Sequence, residues 1–189
     1  GTADARRVVV GATLVFAVAL IGGGLVILWA RKLAIFSVFN PVDLTLRGFI
    51  GAGIGALTAG ICALVVARLP GFANLRRLAE HAVEGIEPRW HTMLVVALAA
   101  GVSEEFFFRG VLEPVIGPWF STLGFIALHG AFRIRDRGAL AFAVFLFFAS
   151  TGLSALNAWK GLEAAMAAHA AYDLAMFAWL SRRARFIHA

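Results

Sequence analysis

Six ionisable residues stand in stretches of sequence that are otherwise apolar: Glu104, Glu105, Arg109, His129, His169 and Asp173. A charge at membrane depth costs roughly 3 kcal/mol or more unless it is paired, so such residues mark function by default. Glu105 and Arg109 are four apart, share a helix face, and form an ion pair that offsets most of that cost. Glu104 is turned about 100° from Glu105 and has no partner on its own helix. A desolvated carboxyl without a counter-charge suits general acid or base chemistry near neutral pH. His169 and Asp173 lie one turn apart on one face. Each has a plain structural alternative: a helix-to-helix hydrogen bond for His129, a local pair for His169 with Asp173, and a structural pair for Glu105 with Arg109.

The elements that position these residues are read from the apolar runs. The chain has 189 residues, 61% of them hydrophobic and 15% charged, with a mean hydropathy of +0.85. These values exclude a soluble globular domain. A spanning helix needs about 20 apolar residues. Val8–Ala30 and Gly48–Ala67 meet that length without a charge. Four more crossings are expected at His91–Glu113, Pro114–Phe132, Gly138–Trp159 and Ala164–Ser181. The expected fold is all-α, a polytopic transmembrane bundle of about six spans forming a single domain over residues 1–189. A core at about 91–181 carries the chemistry, and 68–90 is an interfacial connector. Within that connector the apolar positions Phe72, Leu75, Leu78, Ala82 and Ile86 alternate with Arg76, Arg77, Glu80 and Glu84, as in an amphipathic helix lying in the interface. Gly22–Gly24, Gly51 and Gly55 are small residues that permit close helix approach.

The net charge of +6 is not a nucleic-acid signal, because the basic residues fall between the apolar runs and read as topology determinants facing anionic lipid. Arg6, Arg7, Arg68, Arg76, Arg77, Arg89, Arg133, Arg135, Arg137, Arg182, Arg183 and Arg185 fall on one side. Arg31, Lys32, Arg47 and Lys160 fall on the other. Twelve against four places both termini in the cytoplasm. The one cysteine, Cys62, lies within an apolar run and is read as packing. The first apolar run is too long, and too charged on both flanks, for a cleaved signal peptide.

Folding the chain at the sequence Glu113–Pro118, which contains Pro114, Gly117 and Pro118, makes two antiparallel arms. Glu104 and His129 then each lie about twelve residues, roughly 18 Å, from the turn. His169 lies about nine residues beyond Lys160 on the same side, roughly 14 Å deep, with Asp173 one turn further. Polar side chains from three helices thus reach similar depth.

These residues resemble the CAAX protease and bacteriocin-processing family, also called Abi, of glutamic intramembrane proteases. The family signature is Glu-Glu-x-x-x-Arg, then Phe-x-x-x-His, then His-x-x-x-Asn/Asp, on separate helices. The chain has Glu104-Glu105-Phe-Phe-Phe-Arg109, Phe125-Ile-Ala-Leu-His129 and His169-Ala-Ala-Tyr-Asp173, and the likeness spans about Thr92 to Leu180. It implies an endopeptidase in which Glu104 and His129 activate water, and His169 with Asp173 stabilises the oxyanion and positions substrate. Asp173 stands where the family often has Asn, so it donates a hydrogen bond only when protonated, or else it orients His169. Glu105 and Arg109 would support the site, while Phe125 and Phe108 would wall it. The implied substrate is a membrane-anchored protein or peptide in the lipid bilayer, with no cofactor and no nucleic acid. Composition points to a prokaryotic plasma membrane.

Three other functions stay open at the level of sequence. A metalloprotease could bind zinc through Glu104, His129 and His169, although no H-E-x-x-H pair is present. A non-catalytic scaffold or immunity protein could bind a peptide in the same cavity. A small proton-coupled transporter is compatible with the Glu–His pair but lacks a convincing inverted repeat.

Overall fold

A computed structural model describes residues 2–39, 42–69, 72, 76, 77, 80, 89–129 and 137–187. Among these residues every regular element is helical. Helix α1 spans Thr2–Ala30 and leads through a 3-10 turn, Ile35–Val38, to α2, Leu44–Arg68. Helix α3, Trp90–Glu105, runs without interruption into a π-helical segment, Phe106–Leu112, and then into α4, Glu113–Leu128. Helices α5, Arg137–Lys160, and α6, Leu162–Ile187, complete the chain. The all-α polytopic architecture expected from the apolar runs is the one observed.

Among the described residues, four stretches are long and apolar enough to cross a membrane: Asp4–Ala30, Leu44–Arg68, Trp90–Leu128 and Leu140–Lys160. Large apolar side chains such as Trp29, Phe49, Leu57, Trp119 and Phe148 stand exposed on them. A continuous apolar exterior of this kind is stable against acyl chains rather than water. The third stretch, at 39 residues, is two arms. Gly117 has φ 82° and ψ 163° inside α4, a backbone region open essentially to glycine, and there the chain reverses. Residues 90–116 form one long arm and residues 118–128 return for only about 16 Å. The expected span Pro114–Phe132 is therefore shorter as a helix, ending at Leu128 with His129 as its cap. Residues 130–132 lie outside the described residues.

Helix α6, expected as the sixth span, is too polar to count among the four stretches. It does not need a lipid-compatible surface all round, because it is packed between α2, α3 and α5. Gly51 and Gly55 make that packing possible: a Cβ on either would collide with the backbone of Ala164 or Ala168. Gly101 plays the same part for α3, since a Cβ there would come 2.7 Å from the backbone nitrogen of Ala170. Small residues thus bring two backbones against α6 on both flanks. Of Gly22–Gly24, Gly24 meets the ring of Phe106, Gly23 lies near Phe107, and Gly22 faces open space. Leu28, Phe106 and Val111 form the core between α1 and the π segment.

The helix ends sort into two groups. At one end, Arg76 donates to the carbonyls of Val66 and Ala67 at the close of α2, and Arg183 of α6 pairs with the buried Glu80 at 3.2 Å. Ser181 lies against Met93 near the start of α3, and Arg6 and Arg7 of α1 line a cleft with His91 and Thr92. At the other end, Arg31, Pro114 and Asn157 line one recess, and Ser154 donates to Glu113. Gly161, at φ 92°, closes the tight α5–α6 turn there. The connector expected over 68–90 lies largely outside the described residues, as do Arg133 and Arg135.

Candidate active site

Glu104 and Glu105 are the last two residues of α3, about 21 Å along the arm from Trp90 and roughly halfway to the turn at Gly117. The π segment starts immediately after them. Such segments widen a helix locally and recur at functional sites. One more residue enters the turn, so the carbonyl of Phe108 accepts from the amide of Glu113 and also from the Ser121 hydroxyl at 2.8 Å. The returning arm is thereby fastened to the outgoing one, and it brings His129 back to the level of Glu104.

The Nε2 of His129 lies 3.7 Å from Oε2 of Glu104. That separation exceeds a direct hydrogen bond and places both groups within reach of one shared water-sized nucleophile. The other nitrogen, Nδ1, is 2.8 Å from the Phe125 carbonyl, which fixes the ring with Nε2 facing the carboxyl. Glu104 is 6% exposed, whereas the His129 side chain keeps 29% of its surface open. The pair thus has a buried carboxyl and an approachable imidazole.

Behind it stands a second cluster, centred on the fully buried Glu105. Glu105, 0% exposed, accepts from Arg109 Nη1 at 3.2 Å and from His169 Nδ1 at 2.8 Å through the same oxygen, Oε1. The opposite nitrogen of His169 is 3.6 Å from Asp173 Oδ2, so the imidazole is flanked by two carboxyls. The Arg109 guanidinium lies 4.7 Å over the ring of Phe125. Phe125 in turn touches His129, with ring centroids 4.4 Å apart, and His169 at 6.1 Å. Phe125 is therefore the apolar partition between the two histidines, and Phe108 packs edge-on against it at 5.3 Å.

All eight residues singled out in the sequence meet in one region built from α3, the π segment, α4 and α6. Sequence reasoning missed α5. Ser150 of that helix is 0% exposed, and it accepts from Arg109 Nη2 through its hydroxyl at 2.5 Å and its carbonyl at 3.0 Å. Ser150 shares one face of that helix with Ser154 and Asn157 at helical spacing, a polar stripe in an apolar run that was the signal available for it. Cys62, read as packing, receives the Tyr172 hydroxyl at 3.3 Å.

The same geometry bears on zinc. Glu104 and His129 are close enough to share an ion, but among the described residues no three His, Cys, Asp or Glu side chains converge on one point. The ligand set Glu104, His129 and His169 is thus incomplete as a tetrahedral site.

Residues 86–175 match the family model described as type II CAAX prenyl endopeptidase Rce1-like. The match contains all three motifs, and the family resemblance drawn from them holds over these residues. The matched family is one of endopeptidases that act on membrane-associated proteins. Comparison with curated proteins and with solved structures gave no match.

Proposed function

We propose that this polytopic membrane protein is an intramembrane endopeptidase of the glutamic type. It would cleave a membrane-anchored protein or peptide near its C-terminus or anchor. The observation that carries the reading is the approach of Glu104 and His129 to 3.7 Å from two arms of a reversed helix. Glu104 draws a proton from water held between the two groups, and the oxygen attacks the scissile carbonyl. The proton passes to the leaving amine, so that no covalent enzyme intermediate is formed. His169 donates Nε2–H to the developing oxyanion while Glu105 holds Nδ1. The 3.6 Å contact with His169 supports Asp173 as the group that orients that ring. The reaction uses no metal. Both termini stand on the cytoplasmic face, where basic residues gather, and a prokaryotic plasma membrane is the proposed home.

The test compares wild type with Glu104→Gln, expressed at matched levels in cells lacking the native copy, by mass spectrometry of the terminal peptides of membrane and exported proteins. One or a few proteins should keep an uncleaved segment only with the variant, and the purified protein should retain activity after treatment with a chelator. Identical terminal peptides would overturn the reading in favour of a non-catalytic scaffold. Chelator-sensitive cleavage would favour zinc.

A further inference from the structure

The geometry points to Ser150 as a positioning residue for the hydrolytic site, acting through Arg109 and Glu105 on the ring of His169. The inference rests on the protease reading above and adds a residue that lies outside all three motifs.

Helix α5 places no titratable group in the site, yet Ser150 sits where three elements meet. Its hydroxyl and carbonyl oxygens accept from one nitrogen of Arg109. The other terminal nitrogen of the same guanidinium binds Glu105 Oε1, which is also the atom that holds His169. A planar guanidinium fixed at two edges cannot rotate without breaking one of them, so the anchor on α5 sets where Glu105 Oε1 stands. The Arg109 Nε finds no hydrogen-bond partner among the described residues, which leaves the two terminal nitrogens to hold the group. The Ser150 hydroxyl then donates to Thr122 Oγ1 at 3.3 Å. Thr122 lies on the returning arm, two turns before His129. Ser150 thus links the Arg109–Glu105–His169 cluster to the arm that carries the other histidine.

A packing role alone does not call for a hydroxyl here. The position is 0% exposed and alanine would fill most of its volume, but Arg109 Nη2 and Thr122 Oγ1 would then lose the hydroxyl they share. A displacement of reacting groups by about 1 Å, caused by a change away from the chemistry, can lower activity by about a hundredfold.

The experiment uses the full chain in proteoliposomes with a quenched fluorescent peptide that spans a cleavage site found in the terminal-peptide comparison above. Wild type is first set against Glu104→Gln, and equal signals from these two would overturn the protease reading itself. Given a difference there, Ser150→Ala is expected to lower kcat by about tenfold or more with KM changed less than about twofold, and Ser150→Thr to restore most of the rate. Should Ser150→Ala fail to yield folded protein, Ser150→Cys keeps the volume with a weak hydrogen-bonding group and is expected to show the same split. Wild-type kcat in the folded Ala or Cys variant, or a loss confined to KM, would overturn the assignment while leaving the protease reading in place.

Discussion

At the scale of single residues, the carboxyls Glu104 and Glu105 are neighbours in sequence with opposite surroundings. Glu105 is tied to Arg109 and His169 and is wholly enclosed, whereas Glu104 has His129 at 3.7 Å and no direct hydrogen bond to Oε2. Substitution should therefore separate them. Glu104→Gln should leave folding intact and lower cleavage by at least about a hundredfold. Glu105→Leu removes the counter-charge of the buried Arg109, and breaking such a pair costs about 3–5 kcal/mol. It should appear as a lowered melting temperature and poor recovery of monodisperse protein in detergent. The ion pair Glu105–Arg109 was legible from its four-residue spacing. The third partner, His169, is 64 residues away from Glu105, and nothing local in the sequence could pair those two rather than Glu104 with His169.

At the scale of elements, the glycines decide which helices touch. Gly55 faces the backbone of Ala168 directly, while Gly22 meets nothing within 4 Å. Gly55→Leu should force α2 off α6, at a cost of about 3 kcal/mol or more, and so displace His169, one residue from the contact. Gly22→Leu, exposed to lipid, should change stability by less than about 0.5 kcal/mol. Thermal unfolding of the two variants in the same detergent checks both. The reversal at Gly117 was legible because proline and glycine cluster there. The π segment was not, since nothing in the composition of Phe106–Leu112 distinguishes an i→i+5 turn from an α turn, and the surrounding packing selects the wider one.

At the scale of the whole molecule, α1 begins, α2 ends, α3 begins and α6 ends at one pole, and Arg6, Arg7, Arg76 and Arg183 stand there. With Cys62 replaced by serine, cysteines at Arg7 and Arg182 should react with an impermeant maleimide only after cell lysis. A cysteine at Lys32 should react in intact cells. Labelling of all three from the same side would refute the arrangement. Helix α6 shows how burial relaxes composition: it carries both His169 and Asp173 yet needs little apolar surface, because α2, α3 and α5 stand around it.

The sequence by itself determined the class of the molecule and singled out the ionisable residues that the fold brings together. Apolar runs of membrane-spanning length admit no other solvent, and ionisable side chains within them are too costly to be incidental. Spacing along one helix paired Glu105 with Arg109 and His169 with Asp173. What only the tertiary structure decided were the contacts between helices: the 3.7 Å gap between Glu104 and His129, the sharing of one Glu105 oxygen by Arg109 and His169, and the anchoring of Arg109 by Ser150. Helical periodicity specifies a face and a depth. Which faces meet depends on where backbones can approach, and that was fixed by glycines at Gly51, Gly55 and Gly101 and by the reversal at Gly117.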